Sequence, residues 1–181
     1  MTNSGHFKSR SLLLMVAGAK GAVASTLAVA VATLQKDPDP LLPSLTTRNS
    51  FPCLAPPHAV HMAGWDTQPV KLSDCIKTYG VVPETIWKPY QSTLDEILIF
   101  QAPPPDLDLK AQVRHLMQDI RDIKKHHSDA LPVLINLLPA GIRLDLENFT
   151  SLSQLYSKVD PSNFPDLAYV LASILSGIPV V

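Results

Sequence analysis

Apolar residues gather in short runs that stop at glycine or a polar turn, and between the runs the spacing changes to that of helices. Residues 11–17 are almost wholly apolar and halt at Gly18, the pattern of a strand buried on both faces. Residues 59–63 are short and apolar enough for a second strand, ending at Gly64-Trp65-Asp66, and residues 97–100 make a third. Residues 131–138 form a near-continuous fourth, and residues 178–181 begin a further one. Helical spacing fills the gaps. Residues 21–35 predict a helix of Ala, Val, Leu, Ser and Thr, small enough to lie close on a sheet. Residues 71–79 set Leu72, Cys75, Ile76 and Tyr79 on one face and stop at Gly80, and 83–96 predict an irregular helical stretch. The strongest helix spans 106–127, with an apolar stripe of Leu109, Val113, Leu116, Met117, Ile120 and Ile123. Lys124, Lys125, His126 and His127 suit its C-terminal end. A weak helix follows at 151–157, and another at 165–176 with Pro165 in its first turn and Gly177 beyond its end. Residues 37–58 are proline-rich and aperiodic, an excursion over the surface.

Strands and helices that alternate in this way require right-handed crossovers and a parallel sheet. The expected fold is a single Rossmann-like, doubly wound α/β domain over residues 1–181, with helices on both faces.

Composition narrows the roles of such a domain. The 181 residues are 46% hydrophobic and 17% charged with a formal net charge of -1, so no basic field gathers nucleic acid or anionic lipid. Two cysteines, Cys53 and Cys75, hold no disulfide framework, which makes a reducing, cytoplasmic setting the expectation. Lys8 and Arg10 precede an apolar stretch from Leu12 to Leu34 that resembles a leader or an anchor. Lys20 sits in its middle, where a charge costs about 2.5–3.5 kcal/mol on insertion scales, and Gly18 and Gly21 break it. A soluble protein is expected, with a cleaved signal peptide as the alternative. Because the chain stops inside its last apolar run, the expectation is that it is part of a longer protein.

Candidate chemistry lies at the ends of the strands. Gly18-Ala19-Lys20-Gly21-Ala22-Val23-Ala24 joins the first strand to the first helix with the spacing G-x-x-G-x-x-A. Glycines there permit a tight turn and close approach of a pyrophosphate, which the free N–H groups of the helix bind. Gly18, Ala19, Lys20, Gly21, Ala22 and Val23 are the candidate phosphate residues; a plain tight turn is the alternative. Asp66 after the second strand is the candidate for the adenosine ribose, and a carboxylate there favours NAD over NADP. Asn136-Leu137-Leu138-Pro139-Ala140-Gly141 closes the fourth strand, so Leu138, Pro139 and Ala140 should face the nicotinamide side; an ordinary strand exit is the alternative. His58 and His61 lack further ligands for a zinc set, and no G-x-S-x-G elbow or Walker loop is present. No metal site and no catalytic residue is assigned.

Taken in order, these motifs resemble the inositol-3-phosphate synthase family. Gly18, Gly21 and Ala24 fall on the first, fourth and last positions of that family's G-x-G-G-N-N-G turn. Gly64-Trp65-Asp66 with Lys71-Leu72-Ser73-Asp74 resembles its G-W-D-I segment and N-L-A-D helix. Lys88-Pro89-Tyr90, Asp119-Ile120-Arg121, the Asn136 to Ala140 loop and Leu167-Ala168-Tyr169 through Val180 follow in the same sequence, so the similarity runs from about Leu12 to the last residue. It implies an NAD-dependent conversion of glucose 6-phosphate to inositol 3-phosphate, by oxidation, aldol ring closure and reduction, in a homo-oligomeric full-length enzyme. There are departures. Lys20 replaces a glycine, Ala22-Val23 replace two asparagines, and Phe164-Pro165 replaces a serine-proline helix start. The family's N-G-S-P-Q-N-T run and its catalytic lysines have no counterpart in these 181 residues. Two other readings stay open, the NAD(P)-binding domain of another dehydrogenase or epimerase, and a non-catalytic relative.

Overall fold

Leu13, Met15 and Ala17 turn to one side of the first strand, Leu14 and Val16 to the other, and each set enters a different apolar cluster. That division follows from the two-residue period of a strand and needs cover on both faces. In the computed structural model, residues 11–36, 55–139 and 141–181 are described; the expectations for 1–10, Cys53, Ala140 and most of the proline-rich stretch lie outside them.

The strands β1 (Ser11–Ala17), β2 (Val60–Asp66), β3 (Leu98–Gln101) and β4 (Ala130–Asn136) form one parallel sheet in the order β3-β2-β1-β4. The last residues extend it beyond β4 as a parallel bridge rather than a full strand. Leu134 pairs with Val180, its N–H donating to the Pro179 carbonyl and its carbonyl accepting from the Val181 N–H. Helices α1 (Ala22–Lys36), α2 (Leu72–Tyr79), α3 (Glu84–Trp87) and α4 (Gln91–Asp95) cover one face. Helices α5 (Leu109–His126), α6 (Leu152–Lys158) and α7 (Leu167–Leu175) cover the other. The expected doubly wound, Rossmann-like α/β fold is present. The crossovers change face between β1 and β4, so the carboxyl ends of those two strands form the topological switch point.

Several boundaries differ from expectation for local reasons. The expected second strand stops at 63, whereas β2 continues through Gly64, Trp65 and Asp66. The fourth runs to 138 by hydrophobicity, but β4 ends at Asn136. Residues 83–96 divide into α3, a 3-10 turn at Lys88–Tyr90 that accommodates Pro89, and α4. Helix α5 starts at Leu109 because the Asp108 carboxylate caps it, accepting from the Ala111 N–H at 2.7 Å. Helix α7 begins only at Leu167, with Pro165 in the turn before it, and Gly177 (φ 69°) follows its end. Among the described residues no helix is long and apolar enough to cross a membrane.

Gly64 reads locally as a turn yet stands inside β2, opposite Val16. A β-carbon there would collide with the Val16 carbonyl oxygen and come within 3.0 Å of its carbonyl carbon and nitrogen, all backbone atoms of the central strand. We therefore expect Gly64→Ala to lower stability by roughly 3 kcal/mol, at the upper end for overpacking. Gly80→Ala, which meets nothing within 4 Å but keeps φ at 62°, should cost only about 1–2 kcal/mol from the left-handed backbone. Urea unfolding of both variants checks the ranking.

Candidate functional site

The chain leaves β1 at Ala17 and turns over four residues into α1. Gly18 has φ 82°, a conformation that an L side chain rarely adopts, so the turn depends on glycine there. The Gly18 and Ala19 N–H groups both donate to the Trp65 carbonyl, at 3.0 and 2.9 Å. The Lys20 N–H donates to Asp66 Oδ2 at 2.8 Å, and the Gly21 N–H to the Gly18 carbonyl at 3.1 Å. Ser25 closes the next turn, its N–H on the Gly21 carbonyl at 2.8 Å and its hydroxyl on the Lys20 carbonyl at 3.3 Å. The N–H groups of Ala22, Val23 and Ala24 have no acceptor among the described residues. Three donors thus open the N-terminus of a fifteen-residue helix, where the helix dipole favours an anion.

Asp66 lies beside this turn at the end of β2, 9% exposed. Its Oδ2 accepts from Lys20 and its Oδ1 from the Gln68 N–H at 2.9 Å, so both oxygens are already bonded to backbone. Lys20 departs from its sequence-based placement. Its ammonium is engaged by backbone of the loop after β2. It donates to the Gln68 carbonyl at 2.6 Å and the Val70 carbonyl at 2.7 Å, in the loop between β2 and α2.

Across the switch point, the Leu137 N–H donates to the Ala17 carbonyl at 3.1 Å, and a β-carbon at Gly18 would stand 3.3 Å from Leu138 Cδ2. Leu138 is therefore brought against the glycine turn, Pro139 is exposed, and Ala140 lies outside the described residues. Asn136 sets this exit. Its Oδ1 accepts from the Leu138 N–H at 3.2 Å, and its Nδ2 donates to the Asp166 carboxylate at 3.0 Å. Asp166 was not among the sequence candidates, and Asn136 entered only as the first residue of the candidate loop, with no role of its own.

Beneath the turn, the Trp65 indole is 1% exposed. Its Nε1–H donates to Asp119 Oδ2 at 2.9 Å, and its ring meets Tyr169 edge-on at 5.7 Å between centroids. Burial raises the Asp119 carboxyl above its usual range, against the Trp65 hydrogen bond and the charge of His115. Burial, with the nearby Asp66 and Asp119, also raises the Tyr169 phenol.

The chain's structure is similar to that of inositol-3-phosphate synthase from Caenorhabditis elegans, with a TM-score of 0.71 and 14% identity. The match covers 96% of this chain and 44% of that one, so the chain spans less than half the synthase's length. Neither a protein-family profile nor a characterised protein matches it in sequence. At this identity the likeness shows the fold.

A cavity of about 380 Å³ lies at the other end of the sheet, lined by residues that include Gln35, His61, Glu96, His126 and His127. The rings of His61 and His127 are 5.3 Å apart. Among the described residues no group of three or more His, Cys, Asp or Glu side chains is arranged to hold a metal. Burial lowers the His127 pKa below its ordinary 6.5, and the charges of His61 and His126 lower it further. A base with a depressed folded pKa stabilises the fold fully above its unfolded pKa, and that contribution fades as pH falls through 6.5 toward the folded value. We expect His127→Gln to reduce the fall in Tm between pH 7.5 and 5. An unchanged pH profile in thermal unfolding would assign the acid sensitivity to other groups.

Proposed function

We propose that this chain is the NAD-binding part of an inositol-3-phosphate-synthase-like enzyme. The observation that carries the reading is the switch point. A positive-φ glycine turn, three open N–H groups of α1 and the Leu137-Leu138 exit of β4 meet at the carboxyl edge of a parallel sheet. The similar architecture of a solved inositol-3-phosphate synthase supports it.

The pyrophosphate half of the site fits a dinucleotide. The Ala22 and Val23 N–H groups would bind its oxygens, and Gly18 and Gly21 would let the backbone come close. Asp66 would take the ribose hydroxyls with the lone pairs left to its carboxylate, which has about four acceptor sites. Leu138, Pro139 and Ala140 would border the nicotinamide. When bound, NAD supplies a hydride acceptor that later returns the hydride, so glucose 6-phosphate is isomerised without net oxidation. This chain's own residues bind and orient the cofactor. The acid–base group and cations that ring closure needs would come from the remainder of a longer, homo-oligomeric, cytoplasmic protein. The bonds already made by Asp66 favour one second reading, a relative that kept the fold without the chemistry.

NAD is expected to bind more tightly than NADP, and Asp66→Asn to narrow the gap. Gly21→Val is expected to abolish binding while the protein stays folded, because a β-carbon at Gly21 meets only the Gly18 carbonyl oxygen, at 3.3 Å. Calorimetry with thermal unfolding decides. Equal affinity for NAD and NADP removes the ribose role of Asp66, and a Gly21→Val protein that still binds NAD removes the turn from the site.

A further inference from the structure

Lys20 is bonded at both ends. Its main-chain N–H holds Asp66 Oδ2, and its ammonium holds the Gln68 and Val70 carbonyls beyond that carboxylate. The Gln68 N–H returns to Asp66 Oδ1, so four hydrogen bonds close a ring from the glycine turn, over Asp66, to the loop after β2. Nothing in the turn itself demands this side chain. Among the described residues none but glycine has a positive φ, so the backbone at position 20 accepts many side chains. An ammonium at an exposed site would be well solvated alone, yet this one is committed to two carbonyls at short range.

Resting on the dinucleotide reading above, we propose that Lys20 is a clasp over the adenosine-ribose subsite and limits which ligands the site accepts. A ribose must reach the Asp66 carboxylate, and on this proposal the Lys20 side chain, held from the turn to the carbonyls of residues 68 and 70, stands in its way. The side chain must swing out before the hydroxyls can bond. A ligand without the ribose, such as inorganic pyrophosphate, needs only the α1 N-terminus and leaves the clasp shut. The site therefore separates diphosphates from dinucleotides by an opening step, and the dinucleotide's apparent affinity falls by the fraction of time the clasp is open.

Lys20→Gly, Lys20→Arg and the unaltered chain test this with NAD and inorganic pyrophosphate in calorimetry, and by amide hydrogen exchange without ligand. If the clasp is closed about nine-tenths of the time, Lys20→Gly should bind NAD roughly tenfold more tightly. Lys20→Arg, which keeps a cation on a long stem, should match the unaltered chain. Pyrophosphate should gain nothing from Lys20→Gly, and exchange at the Gln68 amide should quicken in that variant. Unchanged or weaker NAD binding in Lys20→Gly, while the unaltered chain binds NAD, overturns the clasp and leaves the proposed function standing. An equal gain for NAD and pyrophosphate overturns it as well, since Lys20 would then act at the phosphates. NAD binding by none of the three overturns both readings.

Discussion

The Trp65 carbonyl is the acceptor on which the rest of the site hangs. It takes the Gly18 and Ala19 N–H groups together, and so fixes the direction in which the chain leaves β1. One residue supplies both that acceptor and a buried indole, anchored through Nε1 on Asp119 of α5 and packed against Tyr169 of α7. The glycine turn is thereby referenced to the helices on the far face of the sheet, while α1, which the turn feeds, packs on the near face. A shift of β2 by one register would exchange its two faces. It would also remove the carbonyl from the turn and the indole from Asp119.

The close approach at Gly64 makes this junction possible. Val16 and Gly64 are paired in the register that also sets Ala17 beside Trp65. A side chain at 64 would force the two central strands apart one residue before the carbonyl that the turn needs. The small residues of α1 serve the same geometry. Ala24, Ala28 and Ala32 are fully or almost fully buried and bring the helix axis close to the sheet, so that its open N–H groups stay near the strand ends.

The fold was legible in the sequence because it is written in local periods. Short apolar runs located the four strands, small residues the first helix, and an apolar stripe the long helix α5. The stops were harder, since what decides them is tertiary. Gly64-Trp65-Asp66 looks like a turn by composition, but each residue is kept in β2 by something distant in sequence: the Val16 backbone, Asp119, and the Lys20 N–H group. Leu137 and Leu138 look like strand by hydrophobicity, yet Asn136 bends the chain by capturing the Leu138 N–H. In the site, sequence reasoning brought Gly18, Gly21 and Asp66 to one strand edge. It could not foresee where the Lys20 ammonium goes, because two backbone carbonyls carry no residue-specific signal.

Stability and ligand access compete at Asp66. A buried carboxylate with unsatisfied oxygens is costly, and two backbone N–H donors remove that cost in the free protein. The same donors take two of the roughly four acceptor sites that a ribose would share, and the carboxylate repels any phosphate placed beside it. The N–H groups of Ala22 and Val23 stand at the half-buried and exposed first positions of a helix, where water satisfies them at little cost and an anion can replace the water. The two halves of the edge are therefore prepared differently. The helix end, proposed for the phosphates, is available without rearrangement, whereas the Asp66 side, proposed for the ribose, carries bonds that also hold the loop after β2 in place. On the proposed reading, a dinucleotide would take its initial hold through the phosphates and open the ribose half second.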